Sequence, residues 1–203
     1  SKGKIDSIGA LTLNGKIIDN RNGIIKGNIK KLNADRLIND NGQLLSNEKI
    51  EGIIKETSNI RGEISGAESV KIVGEKLNNL SGLIRSNGKI EVTGNKLNNN
   101  SGEIRSNSKI DINVKDTSNV KGYILSDGLT KEDVKKEEEN KEQQNNENTK
   151  NKEIGINITG TLDNTQGVIR GREISIGGNI KGNSKGKIDS IGALTLNGKI
   201  IDN

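Results

Sequence analysis

Glycine recurs at a fixed interval, and this restricts the fold more than any other feature of the sequence. Gly42, Gly62, Gly82, Gly102 and Gly122 stand 20 residues apart. Gly3 and Gly23 extend the register upstream, with one residue missing before Gly42, and Gly167 and Gly186 resume it downstream. Two residues beyond each of these glycines is an aliphatic side chain: Ile5, Ile25, Leu44, Ile64, Ile84, Ile104, Ile124, Ile169 and Ile188. Two further on the residue is small: Ser7, Gly27, Ser46, Gly66, Ser86, Ser106, Ser126, Gly171 and Ser190. This alternation is the period-2 signature of a strand with one buried face.

Each unit carries a second β-like run, seen in Leu11–Leu13, Val70–Ile72, Ile90–Val92, Ile110–Ile112 and Leu194–Leu196. The pattern blurs around Lys30, Gly52 and Thr130, so the corners there stay open. Each unit closes on an asparagine: Asn20, Asn39, Asn59, Asn79, Asn99, Asn119, Asn164 and Asn203. Two positions earlier stand Ile18, Leu37, Thr57, Leu77, Leu97, Thr117, Leu162 and Ile201. A helical-hairpin repeat does not fit, because Gly, Asn, Ser and β-branched Ile dominate every unit and favour turns and strands.

The fold class expected is therefore all-β, a parallel β-helix solenoid of coils of about 20 residues. Equivalent positions then stack about 4.8 Å apart, and eight or nine coils make a rod of roughly 40 Å. The aliphatic columns become buried ladders, and the small column leaves space where the coil is narrow. The asparagines become an amide ladder bonded from coil to coil. Capture of a cation such as Ca²⁺ is the alternative for that column, but the glycine- and aspartate-rich nonapeptide of calcium-binding β-rolls is absent. A single coil cannot cover both its faces, so stability comes from its neighbours.

The register slips by about 25 residues between Gly122 and Gly167. The excess is residues 131–152, KEDVKKEEENKEQQNNENTKNK, whose opposite charges nearly cancel and which is almost free of apolar side chains. It reads as a solvated excursion from a coil corner, disordered or weakly helical. The expected organisation is thus coils over 1–130, a charged insertion over 131–152, and coils again over 153–203. Ser184–Asn203 repeats Ser1–Asn20 residue for residue. Long duplicated blocks in a larger parent chain, or an engineered duplication, would account for that identity. The start at Ser1 without Met also reads as an excerpt of something longer.

Chemistry is limited by what is missing. The chain has no His and no Cys, which excludes a Ser-His-Asp triad, a cysteine nucleophile and the usual zinc sites. Tyr123 is the only aromatic residue, so the net charge of +5 has no stacking platform with which to bind nucleic acid. Paired carboxylates are the remaining catalytic option. Arg85 and Arg105 are equivalent positions, but their column also holds Lys26, Leu45, Ser65, Leu125 and Arg170. Glu63 and Glu103 share theirs with Ile24, Leu83 and Tyr123. Such mixing reads as a variable solvent face. The expectation is a protein that is not an enzyme, with no catalytic residue, no cofactor and no metal site. No apolar run is long enough to span a membrane.

From Leu77 to Ile112 the sequence LNNLSGLIRSNGKIEVTGNKLNNNSGEIRSNSKIDI resembles the haemagglutinin repeats of filamentous-haemagglutinin-like exoproteins. The likeness covers nearly the whole chain outside the charged insertion. It implies a right-handed β-helix and a large filament of Gram-negative bacteria, secreted or held on the outer face of the outer membrane. Export would run through an outer-membrane two-partner transporter. Members of the family are adhesins that contact host or bacterial surface molecules, or stalks that carry a toxin in contact-dependent growth inhibition. The partners expected are accordingly the transporter and such surface molecules, with no nucleic acid and no membrane insertion, and the filament is expected to be monomeric. The charged insertion and the bias to Lys and Asn depart from a typical member.

Overall fold

The computed structural model describes residues 2–140 and 155–202, which wind into a parallel β-solenoid of nine coils. The coils span residues 2–20, 21–39, 40–59, 60–79, 80–99, 100–119, 120–164, 165–183 and 184–202. Coil 1 holds β1 (Lys4–Asp19) and coil 2 holds β2 (Ile24–Ile38). Coil 3 has β3 (Gln43–Ser46) and β4 (Lys49–Ser58), and coil 4 has β5 (Glu63–Gly66), β6 (Ser69–Val73) and β7 (Lys76–Asn78). Coil 5 carries β8 (Leu83–Ser86) and β9 (Ile90–Asn98), and coil 6 carries β10 (Glu103–Ser106) and β11 (Lys109–Ser118). Coil 7 runs from β12 (Tyr123–Leu125) through α1 (Lys131–Asn140) to β13 (Gly155–Asp163). Coil 8 has β14 (Val168–Gly171), β15 (Ile174–Ile176) and β16 (Ile180–Gly182), and coil 9 has β17 (Lys187–Ser190) and β18 (Leu194–Leu196). The 18 strands of the described residues belong to one sheet, and coil pairs with coil in parallel register, as Ile104 with Ile84 and Ile124.

The core is a bundle of aliphatic columns running along the axis. One passes through Ile25, Leu44, Ile64, Ile84, Ile104, Ile124 and Ile169, all buried. Opposite it Ile50, Val70, Ile90, Ile110, Ile156 and Ile174 stack in register. Burying each such side chain is worth about 1.5–3 kcal/mol, and the neighbouring coils provide most of the cover. Gly52 belongs to a column of Leu32, Ile72, Val92 and Ile112, where a side chain is expected. Ile54 fills its space, its Cδ1 lying 2.8 Å from where a Gly52 Cβ would sit. At Lys30 coil 2 takes up an extra residue, between Ile29 and Lys31, which pair with the consecutive Leu11 and Thr12. These two irregularities account for the blurred sequence pattern.

Each of the first eight coils closes on the same Asn-x-x-Gly turn. In coil 4 the Gly62 N–H donates to the Asn59 carbonyl at 3.2 Å, and the intervening Arg61 is left-handed with φ 53°. Asn22, Asn41, Ser81, Ser101, Lys121, Gln166 and Lys185 adopt the same conformation, with φ of 53–56°. That conformation costs a non-glycine residue about 1–3 kcal/mol, which the stacking of the coils offsets. The Arg61 N–H, for example, donates to the Leu80 carbonyl of the next coil. The glycine that follows is required by space: a Cβ on Gly62 would lie 2.1 Å from the Asn39 carbonyl oxygen and 2.5 Å from Asn59 Oδ1.

The asparagines form the expected ladder. Nδ2 of Asn20, Asn39, Asn59, Asn79, Asn99, Asn119 and Asn164 each donates to Oδ1 of the next member at 2.7–2.8 Å. The acceptor for Asn164 is Asn183, which the sequence spacing misses. Leu162 pairs with Ile180 but Asp163 pairs with Gly182, so a bulge inserts one residue and moves the asparagine from two to three positions after the aliphatic. Asn203 lies outside the described residues.

The small column has a bonding role as well as a steric one. Ser46, Ser86 and Ser106 each accept at Oγ from the N–H two residues ahead, which turns the chain from the first strand of the coil to the second. The insertion begins with order. Helix α1 starts at a reciprocal cap in which the Thr130 N–H donates to Asp133 Oδ2 at 3.0 Å and the Asp133 N–H donates to Thr130 Oγ1 at 3.2 Å. The rest of the predicted insertion, residues 141–152, lies outside the described residues.

Candidate interaction surface

In β5, β8, β10 and β12 one side chain of each pair points inward and its neighbours point outward, which sets Glu63, Leu83, Glu103 and Tyr123 in one outward column. Ser65, Arg85, Arg105 and Leu125 form the next. Arg85 Nε donates to Glu63 Oε1 at 2.8 Å across one coil, and Arg105 Nε stands 3.5 Å from Glu103 Oε1 within its own coil. Glu63 and Glu103 are two coils apart with Leu83 between them, and each carboxylate is taken up by an arginine.

At coil 7 this face is no longer open to solvent. Leu125 is fully buried at an outward position because α1 lies over it, with Val134 packed against Leu125 and Val168 and flanked by Tyr123 and Leu129. The reading of the whole column as a variable solvent face is therefore corrected here: Tyr123, Leu125 and Val168 form an apolar seat for the helix. The sequence carries two signals for it. Three apolar residues stand at outward positions of adjacent coils, and Leu129-Thr130-x-x-Asp133-Val134 has the pattern of a capping box with its hydrophobic staple.

The foot of α1 ties the two charged columns together. The Lys131 ammonium lies 4.9 Å from the centroid of the Tyr123 ring, and the Lys131 backbone N–H donates to Glu103 Oε1 at 3.4 Å. Burial raises the Glu103 carboxyl above the ordinary carboxylate range, against the opposing pull of Arg105. Open polar grooves flank this corner. One, of about 330 Å³, runs along the serine turns past Arg85, Asn87, Arg105 and Asn107. The other, of about 450 Å³, follows the left-handed turns past Arg61, Ser81, Ser101 and Lys131. The surface offers guanidinium, amide and hydroxyl groups along the rod axis, a layout suited to extended polar ligands.

The ladder amides are engaged with one another and with backbone carbonyls, as in the Asn39 Nδ2 bond to the Glu63 carbonyl at 2.9 Å. Among the described residues no group of three or more Asp or Glu side chains is placed to hold a metal ion. Among the same residues no helix is long and apolar enough to cross a membrane. No family model, no curated protein and no solved structure matches this chain.

Proposed function

We propose that this chain is a non-catalytic shaft segment of a large secreted, filamentous-haemagglutinin-like adhesin that mediates cell adhesion. The observation that carries the proposal is the unbroken parallel ladder of 18 strands, which makes one stiff rod with constant inner columns and varied outer ones. The resemblance of Leu77–Ile112 to haemagglutinin repeats supplies the adhesin class, the two-partner export route and the cell-surface location. The contact surface would be the outward face of coils 4–7, where Arg85, Arg105 and the foot of α1 meet.

A second reading is favoured by the salt bridges on that same face. Arg85 and Arg105 are already partnered by Glu63 and Glu103, as a stalk that holds a distal toxin or receptor-binding domain would require of an inert surface. Binding of the fluorescently labelled chain to epithelial and bacterial cells separates the two. Saturable binding displaced by unlabelled chain, and weakened by Arg85→Ala with Arg105→Ala, supports the adhesin. Absence of saturable binding at micromolar chain overturns it in favour of the stalk.

A further inference from the structure

Five asparagines of the sequence, Asn14, Asn22, Asn41, Asn87 and Asn197, are each followed by glycine. Such a pair is chemically labile, because no side chain on the glycine hinders its nitrogen from reaching the asparagine Cγ. Asn14 and Asn197 stand in the terminal coils. Asn22, Asn41 and Asn87 lie in coils stacked on both sides, and all three are exposed, so burial does not rank them. Hydrogen bonding does.

At two of these positions the glycine nitrogen is locked. The Gly23 N–H donates to the Asn20 carbonyl at 3.1 Å, and the Gly42 N–H to the Asn39 carbonyl at 3.0 Å. Both acceptors belong to ladder asparagines. The turns are also pinned to the next coil, since the Asn22 N–H donates to the Asp40 carbonyl at 3.1 Å and the Asn41 N–H to the Ile60 carbonyl at 2.9 Å. Either nitrogen can swing towards its asparagine side chain only if the left-handed turn opens and two coils part.

Asn87 sits at a different corner, the bend between β8 and β9. There the Gly88 N–H donates to Ser86 Oγ at 3.1 Å. A hydroxyl both accepts and donates, so the group that holds this N–H can also relay its proton to water. The same bend recurs without the glycine. The Glu48 N–H donates to Ser46 Oγ at 3.3 Å, and the Ser108 N–H to Ser106 Oγ at 2.9 Å. Asn47 and Asn107 therefore share the geometry of Asn87 but are followed by residues with a side chain. Space keeps glycine at position 88, where a Cβ would run into the Glu68 carbonyl oxygen of the preceding coil. Charge favours reaction at the same residue. Arg85 and Arg105 line one groove with Asn87, and among the described residues no carboxylate lines it. Two guanidiniums stabilise the negative charge that develops as the amide is attacked.

We propose that Asn87 is a site of spontaneous deamidation in the folded chain. The Gly88 nitrogen attacks Asn87 Cγ and a new N–Cγ bond forms. The Cγ–Nδ2 bond breaks, and Nδ2 leaves as ammonia with the proton that the Gly88 nitrogen gives up. Water then opens the cyclic imide at either carbonyl, which leaves aspartate or isoaspartate at position 87. The product places a carboxylate in the groove of Arg85 and Arg105 and lowers the net charge of +5 by one. On the adhesin reading, on which this consequence alone rests, the contact face loses positive charge as the chain ages.

The purified chain, kept in mildly alkaline buffer and sampled over weeks, is mapped by mass spectrometry of its peptides. Asn87 should gain the amide-to-acid mass increment at least about tenfold faster than Asn22 or Asn41, because an opening cost of only ~1.4 kcal/mol at their turns gives that factor. In urea the three should react at similar rates. Asn47 and Asn107 should stay largely intact over the same period. Arg85→Ala with Arg105→Ala should slow the reaction several-fold, and Arg85→Lys with Arg105→Lys should restore it. Asn87 reacting no faster than Asn22 and Asn41 in the folded chain overturns the proposal. A rate that is the same with and without the two arginines overturns the role assigned to their charge.

Discussion

Asn79 donates from Nδ2 to Oδ1 of Asn99 across 2.7 Å, and Asn59 donates to Asn79 at the same distance. The same Nδ2 reaches the Gly82 carbonyl at 3.2 Å, so one side chain connects three coils and its own turn. Replacing it leaves the buried Asn99 Oδ1 without its donor and costs Asn59 Nδ2 its shortest bond, although that amide still reaches the Gly62 and Leu83 carbonyls. An orphaned buried group costs about 1–3 kcal/mol and a lost hydrogen bond about 1 kcal/mol, so Asn79→Ala should destabilise the chain by about 3 kcal/mol in urea unfolding. Asn20→Ala, at the end of the ladder, should cost clearly less. Equal losses at the two positions would contradict a cooperative ladder.

The glycine of each turn is tested by a single methyl group. Gly82→Ala would place Cβ 2.1 Å from the Asn59 carbonyl oxygen and 2.5 Å from Asn79 Oδ1, and both atoms are fixed by the ladder. A cost of about 3 kcal/mol is expected, at the upper end for overpacking. Gly177→Ala is the control, since nothing lies within 4 Å of its Cβ position. It should be neutral, or stabilising by about 0.5 kcal/mol through the unfolded chain. Thermal melts of the two variants make the comparison.

Thr57 and Thr117 interrupt an otherwise aliphatic column, and their buried Oγ1 atoms have no hydrogen-bond partner. Valine has the same shape without the hydroxyl. Thr57→Val and Thr117→Val should each stabilise by about 1 kcal/mol, read as a higher urea midpoint with an unchanged slope. A loss of stability on either substitution would show that the hydroxyl has a bonding role.

Two glutamates should respond to pH in opposite directions. Burial lifts the Glu103 carboxyl above its ordinary value of 4.5, so the folded chain holds that proton more tightly than the unfolded chain. The cost of its charge is present above the folded pKa and disappears as pH falls below the ordinary value. Glu103→Gln should therefore stabilise at neutral pH and become neutral in acid. Glu91 is held below the ordinary carboxylate range, chiefly by its hydrogen bond from Lys71. Its contribution is present above the unfolded pKa and is lost as pH falls through the lowered one, so Glu91→Gln should destabilise at neutral pH only. Urea midpoints of both variants between about pH 3 and 7 test the two signs together.

Much of the architecture is legible because a solenoid writes each structural demand once per coil. The inward aliphatics, the Asn column and the turn glycines each recur at one spacing, and the structure uses each as that spacing implies. Sequence reasoning fails where a local compensation breaks the count. Asn183 is hidden by the single extra residue opposite Asp163, and Gly52 by the inward turn of Ile54. The seat of α1 escapes it for a different reason: Leu125 and Val168 occupy outward positions, where periodicity alone assigns solvent, and only the helix packed over them makes them core. At the charged face, the sequence places Arg85 and Arg105 in one column but does not disclose that each is met by a glutamate, since Glu63 reaches Arg85 from the preceding coil.

The direction of the coil-to-coil hydrogen bonds bears on how such a solenoid behaves under tension. They run along the axis, so a pull on the two ends opens the ladder one coil at a time instead of shearing many bonds at once. A released coil of about 20 residues extends to about 65 Å, against about 4.8 Å when stacked. The rod is thus a folded reserve of length, stiff at rest and able to lengthen to more than about ten times its stacked height under load.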